Sequence, residues 1–128
     1  MKPSRIQAVE HIHLTGPVGA EGRLRWFYTE IGKLDEVSTI SSERWLLSFR
    51  SGGIEIRFEI CTYPEIDPVF RRLTISVPSL WDAARRLEER GFAVSIHTGL
   101  ISTDRRLGTL DPAGNRVDLK QEWPWAPL

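Results

Sequence analysis

The sequence is poor in cysteine: one, Cys61, in 128 residues. A lone thiol cannot close an internal disulfide or build a cysteine-rich zinc knuckle, and at the end of an apolar strand it reads as an inert buried group. The N-terminal "MKPSRIQAVEHIHL" has no apolar core of the kind a signal peptide needs. No apolar run reaches the length that spans a bilayer. These absences lead us to expect a cytoplasmic protein with no membrane partner. A net charge is missing too, since Lys+Arg and Asp+Glu number 17 each. A balanced chain projects no field toward nucleic acid or an anionic membrane. The "RR" pairs at 71–72, 85–86 and 105–106 fall on different elements and build no basic stripe. What remains is an ordinary globular composition, 41% hydrophobic and 27% charged, in a chain the size of one domain or two half-domains.

Periodicity divides the chain. In "IQAVEHIHLTG", Ile12 and Leu14 alternate with His11 and His13, which predicts a strand that Gly16, Pro17 and Gly19 end. "EGRLRWFYTEIG" places Leu24, Phe27, Tyr28 and Ile31 at helical spacing, with Gly32 at the C-terminus. "LDEVSTI", "RWLLSFR" and "GIEIRFEI" then read as three strands, with "SGG" at 51–53 turning the last two. In the third of these, Ile54, Ile56, Phe58 and Ile60 alternate with Glu55, Arg57 and Glu59. "CTYPEIDPVF" is a connector. "RRLTISV" is a strand, and "PSLWDAARRLEERG" a helix capped by Ser79, with Asp82 three residues on and Gly91 at its end. "FAVSIHT", "RRLGTL" and "RVDLK" are strands, the last entered through the turn "DPAGN". The tail "EWPWAPL" is too rich in proline for regular structure.

The order strand, helix, three strands occurs twice, which predicts an internal repeat over about 7–62 and 70–121. Placing His11 on Arg72 puts Leu14 on Ile75 and Pro17 on Pro78. Separately, the helix-ending glycines Gly32 and Gly91 match, and 27 residues beyond each lie Glu59 and Asp118.

The paired units, with "EHIHLTG", "RWFYTEIGKL" and above all "DPAGNRVDL", resemble the vicinal oxygen chelate superfamily of glyoxalase I, bleomycin- and fosfomycin-resistance proteins and extradiol dioxygenases. The resemblance spans about Val9 to Lys120. It implies an α+β fold in which two βαβββ modules form one cup-shaped domain over 1–128, helices outside and ligand inside. A homodimer is implied as well, with the cup built within one chain or from halves of two. On that plan Ile12, Leu14, Ile56, Phe58, Ile75, Val77, Val117 and Leu119 face the helices. His11, His13, Arg57, Glu59, Arg72, Thr74, Arg116 and Asp118 face the cup.

Metal-binding members resembling this chain place ligands on the first and last strand of each module. The matching positions are His11, Glu59, Arg72 and Asp118. Three of them can hold a divalent Zn, Ni, Mn or Fe ion. Arg72 cannot, because guanidinium stays protonated and has no lone pair to give. Two arrangements compete. In one, a metal on His11, Glu59 and Asp118 polarises a substrate with vicinal oxygens, Glu59 or Asp118 doubles as the catalytic base, and the protein is a lyase, isomerase or transferase of the glyoxalase type. In the other, no metal binds. Arg57, Arg72 and Arg116 then pair with Glu55, Glu59 and Asp118, and His13, Arg57, Arg72, Thr74 and Arg116 line a pocket that sequesters a drug or metabolite. A non-catalytic dimeric scaffold is a third reading. His13 is expected to line the cup, and His97, which matches no ligand position, to be an ordinary strand residue. Trp45, Trp81, Trp123 and Trp125 serve packing before ligand stacking.

Overall fold

The computed structural model describes residues 10–37, 46–62, 72–98 and 105–122. Trp45, Trp123 and Trp125, the connector from Tyr63 on, and the tail beyond Glu122 lie outside these segments. So do the ends of the strands expected around residues 38–40 and 44–45.

The first half runs β1 (Glu10–Pro17), α1 (Glu21–Arg25) continuing into a π-helical stretch (Trp26–Ile31), β2 (Asp35–Val37), β3 (Leu46–Ser51) and β4 (Ile54–Cys61). The second runs β5 (Arg72–Val77), α2 (Leu80–Glu89), β6 (Ser95–Thr98), β7 (Arg105–Leu110) and β8 (Arg116–Gln121). Each half forms its own four-stranded sheet, ordered β1-β4-β3-β2 and β5-β8-β7-β6. First and last strands pair in parallel, and the remaining pairs are antiparallel. This is the repeated α+β architecture the sequence predicts.

Alternation sorts the sheet faces as expected. Ile56, Phe58, Ile75, Val77, Val117 and Leu119 are buried against the helices, and Ile12 and Leu14 pack on the same core. Leu24, Phe27, Tyr28 and Ile31, all at most 1% exposed, fill the helical side of the first half. Tyr28 stacks on Phe49 with ring centroids 5.2 Å apart and sits edge-on to Phe27 at 4.9 Å, geometries that aromatic quadrupoles favour.

The first helix departs from the α-helical expectation. Its second part is wound with bonds five residues apart, as from Gly32 N–H to Phe27 O at 2.9 Å. Apolar spacing cannot signal this, since the same four side chains point inward under either winding. Gly32 stands at the helix end as expected, and what requires a glycine there is space. Its φ is −74°, but a Cβ there would meet Tyr28 O at 2.9 Å. The left-handed residue is Lys33, at φ 57°. The second helix follows its signals: Ser79 Oγ accepts from Asp82 N–H at 3.2 Å, and Gly91 ends the helix at φ 83°.

The halves meet through the helical layer. Arg86 donates to Glu30 O at 3.1 Å, and Trp26 stacks on Phe92. Tyr28 donates its phenol to Asp111 Oδ2 at 2.5 Å. Asp111 also organises the 111–115 turn, with Oδ1 accepting from Ala113 N–H and Asn115 N–H at 2.9 and 2.8 Å. The polar faces of both sheets lie away from this layer. The two sheets share no strand pairing among the described residues, so β1 and β5 are both edge strands.

Candidate functional site

The polar face of each sheet is a grid whose rows are set by strand pairing. In the first sheet His13 lies across from Arg57, and Thr15 across from Glu59. In the second, Arg72 lies across from Arg116, and Thr74 across from Asp118. The two grids superpose position for position, Thr on Thr and Arg on Arg. The counterpart of Arg72 is therefore His13, and the alignment of His11 with Arg72 is out by two residues. Sequence distance agrees: Gly32 follows His13 by as many residues as Gly91 follows Arg72. The matches of Leu14 to Ile75 and Pro17 to Pro78 that accompany that placement are fortuitous. His11 lies one row earlier, across from Glu55, and only its strand position is described.

Of the ion pairs sequence reasoning expected on these faces, the structure contains Arg57–Glu55 and Arg72–Asp118. In the second sheet Arg72 Nε stands 3.1 Å from Asp118 Oδ2. Asp118 is buried and Arg72 half exposed, so the guanidinium covers the carboxylate from the solvent side. In the first sheet the buried acid is Glu55. Arg57 Nε lies 2.8 Å from its Oε2, and Arg50 Nη2 3.7 Å from its Oε1. Glu55 is 1% exposed, whereas Glu59, four residues along the same face, is exposed. Alternation alone ranks these two carboxylates equally. The cross-strand neighbour separates them: Arg50 stands opposite Glu55, and Leu46 opposite Glu59. Ser48, opposite Arg57, is fully buried, and its Oγ has no hydrogen-bond partner among the described residues.

The residues proposed as metal ligands are not assembled on one sheet. Glu59 belongs to the first sheet and Asp118 to the second. Among the described residues no three His, Cys, Asp or Glu side chains come together as a metal site. The donor chemistry of the second sheet is also wrong for a cation. Its one carboxylate on β8 is already neutralised by Arg72, and Arg116 adds a further positive charge beside it. These residues do not fit a divalent ion there.

Arg116 and Thr74 are exposed at the positions expected of pocket residues. A residue that sequence reasoning set aside joins them. His97 on β6 faces the same side, next to Gly108 on β7. Nothing in the local sequence marks it, because its neighbours come from two other strands.

Away from the faces, burial governs the titration of the joint between the halves. Burial raises the Asp111 carboxyl above the usual range, against the pull of its bonds from Tyr28, Asn115 and Ala113. The Tyr28 phenol is raised well above its ordinary value by burial first and by the Asp111 charge second. Among the described residues no helix is long and apolar enough to cross a membrane.

No protein-family model matches the sequence, and no curated protein is similar enough to match it; many solved structures share its fold. A glyoxalase family protein from Bacillus anthracis covers 95% of this chain and 100% of its own, at 23% identity and a TM-score of 0.68. The fosfomycin resistance protein FosX from Listeria monocytogenes, solved with Mn(II) and a dihydroxypropylphosphonic acid, covers 94% and 95% at 13% identity and a TM-score of 0.71. TnmS3, an antibiotic binding protein from Streptomyces sp. CB03234, covers 96% and 99% at 23% identity and a TM-score of 0.57.

Proposed function

Taking as premise that the chain has the fold of the glyoxalase and bleomycin-resistance proteins of the vicinal oxygen chelate superfamily, we propose that it binds a small organic molecule on its polar concave faces without the complete metal site of that superfamily. The observation that carries this reading is the Arg72–Asp118 pair, which occupies two positions where a metal-binding relative would present donors. His13, Arg57, Arg72, Thr74 and Arg116 are the binding groups. TnmS3, of the same fold, binds an antibiotic, and a sequestering role for this chain agrees with that.

The β1 and β5 edges, which pair with no further strand among the described residues, support a homodimer. An edge strand exposes a row of backbone N–H and C=O groups, and joining the first sheet of one copy to the second sheet of another satisfies both rows. His13 and Glu59 of one copy would then share a cup with Arg72 and Asp118 of its mate. The second reading, a glyoxalase-type lyase, isomerase or transferase in which Glu59 or Asp118 is the base and His11 a ligand, is favoured by the Mn(II) of FosX. Here Arg72 stands against it.

Metal retention separates the two. The protein is incubated with Ni²⁺, Zn²⁺, Mn²⁺ or Fe²⁺, dialysed and analysed for bound ion, beside His11→Ala and His13→Ala. We expect no stoichiometric metal in any of the three. One equivalent retained by the wild type and lost in either variant would sink the metal-free reading.

A further inference from the structure

His97 looks unremarkable along its own strand, but β6 and β7 give it a setting. Ser95 lies across from Gly108, and Gly108 across from Asp118, so the three form one row over the second concave face. The middle member has no side chain. A methyl group built on Gly108 would stand 3.4 Å from Asp118 Oδ1 and 3.8 Å from His97 Nε2. The glycine therefore leaves a slot walled by a carboxylate oxygen on one side and an imidazole nitrogen on the other. Its φ is not positive, so what it supplies is space rather than an unusual backbone.

The slot opens into a cavity of about 340 Å³ whose lining includes Ala93, Val94, His97, Leu110 and Arg116. Leu110 is 57% exposed there, an apolar side chain on an otherwise polar face. Asp118 turns Oδ2 to Arg72, which leaves Oδ1 toward the slot. Among the described residues, the polar face of the second sheet carries Arg116 and Lys120 beyond the Arg72–Asp118 pair. Such an excess draws anions, and a guanidinium binds a planar or tetrahedral oxyanion with two parallel bonds. An ionised carboxylate only accepts, whereas an imidazole nitrogen can donate or accept. Together they suit a hydroxyl group, which does both.

We infer that the Gly108 slot takes a small organic anion carrying a hydroxyl group. Arg116 binds the anionic end. The hydroxyl lies between Asp118 Oδ1 and His97 Nε2, and aliphatic carbons rest on Val94 and Leu110. This names the ligand class of the proposed binding face and rests on that proposal.

Two acids that differ only in the hydroxyl, 2-hydroxyisocaproate and isocaproate, test it. Each is titrated into the full chain while the His97 ring resonances are followed by NMR, with His97→Gln assigning them. The hydroxy acid is expected to shift His97 saturably and to bind about tenfold more tightly than its deoxy analogue. Gly108→Ala places its methyl at ordinary contact distance and needs no strained φ, so it folds. It should weaken the hydroxy acid about tenfold and leave isocaproate unchanged. Arg116→Ala should weaken both. Equal affinity for the two acids, wild-type binding by Gly108→Ala, or no response of His97 to either acid overturns the inference. If the acids bind and respond to Arg57→Ala but not to Gly108→Ala, the slot is refuted and the wider binding face stands. If neither acid binds in calorimetry to the wild type, the slot and the anion-binding face fail together.

Discussion

Tyr28→Phe isolates the buried hydrogen bond between the halves. The phenol is fully buried and donates to Asp111 Oδ2 at 2.5 Å, and Asp111 is itself 4% exposed. Removing one oxygen leaves the ring and its packing on Phe27, Phe49 and Phe58 in place. The loss is therefore one hydrogen bond to a buried acid, about 2 kcal/mol. With an unfolding entropy of roughly 2 cal/mol/K per residue, that lowers Tm by about 7 °C. The pH dependence has a definite sign. Burial raises the folded-state pKa of Asp111 above its unfolded value, so its ionisation opposes folding. The stabilisation from its proton is complete below the unfolded pKa and is lost as pH rises through the folded one. The phenol bond restrains that rise, since it favours the carboxylate. Without it Asp111 resists ionisation more strongly, and the penalty of Tyr28→Phe grows from pH 4 to pH 7. Urea unfolding at both pH values measures it, with Asp111→Asn closing a double-mutant cycle. A penalty under 0.5 kcal/mol at pH 7, or one that is larger at pH 4, would refute the reasoning.

Two further substitutions probe the first concave face. Arg57→Ala removes the guanidinium 2.8 Å from the buried Glu55 carboxylate and leaves Arg50 at 3.7 Å, which should cost about 2–3 kcal/mol in chemical denaturation; Arg57→Lys should recover part of this. Ser48→Ala removes a buried hydroxyl that has no partner among the described residues, so it should change stability by less than about 0.5 kcal/mol or raise it, whereas a loss above about 1 kcal/mol would show that the hydroxyl is bonded in solution.

The fold was legible because its signals are local and mutually consistent. Alternation marked the strands, Ser79 and Gly91 bounded the second helix, and "DPAGN" formed its turn through the Asp111 carboxylate, with Gly114 at φ 88°. The site was legible only in part, because its facts are relations between strands. Register decides that His13, rather than His11, answers to Arg72, and two coincident prolines pointed the other way. Cross-strand neighbours decide that Glu55 is buried while Glu59 is not. The Gly108 slot left no trace in the sequence, since it consists of a missing side chain between residues of two other strands. The winding of the first helix was equally silent, because its inward side chains satisfy both helical periods.

The bond between Tyr28 and Asp111 also gives the protein an optical probe of its own. The sequence holds only two tyrosines, Tyr28 and Tyr63. A phenol that burial and a neighbouring carboxylate hold far above its ordinary pKa stays colourless near 295 nm while the two halves remain docked. Half of the tyrosinate absorbance of this protein is thus tied to the seam between its halves. An alkaline stopped-flow jump would time the opening of that seam without any label.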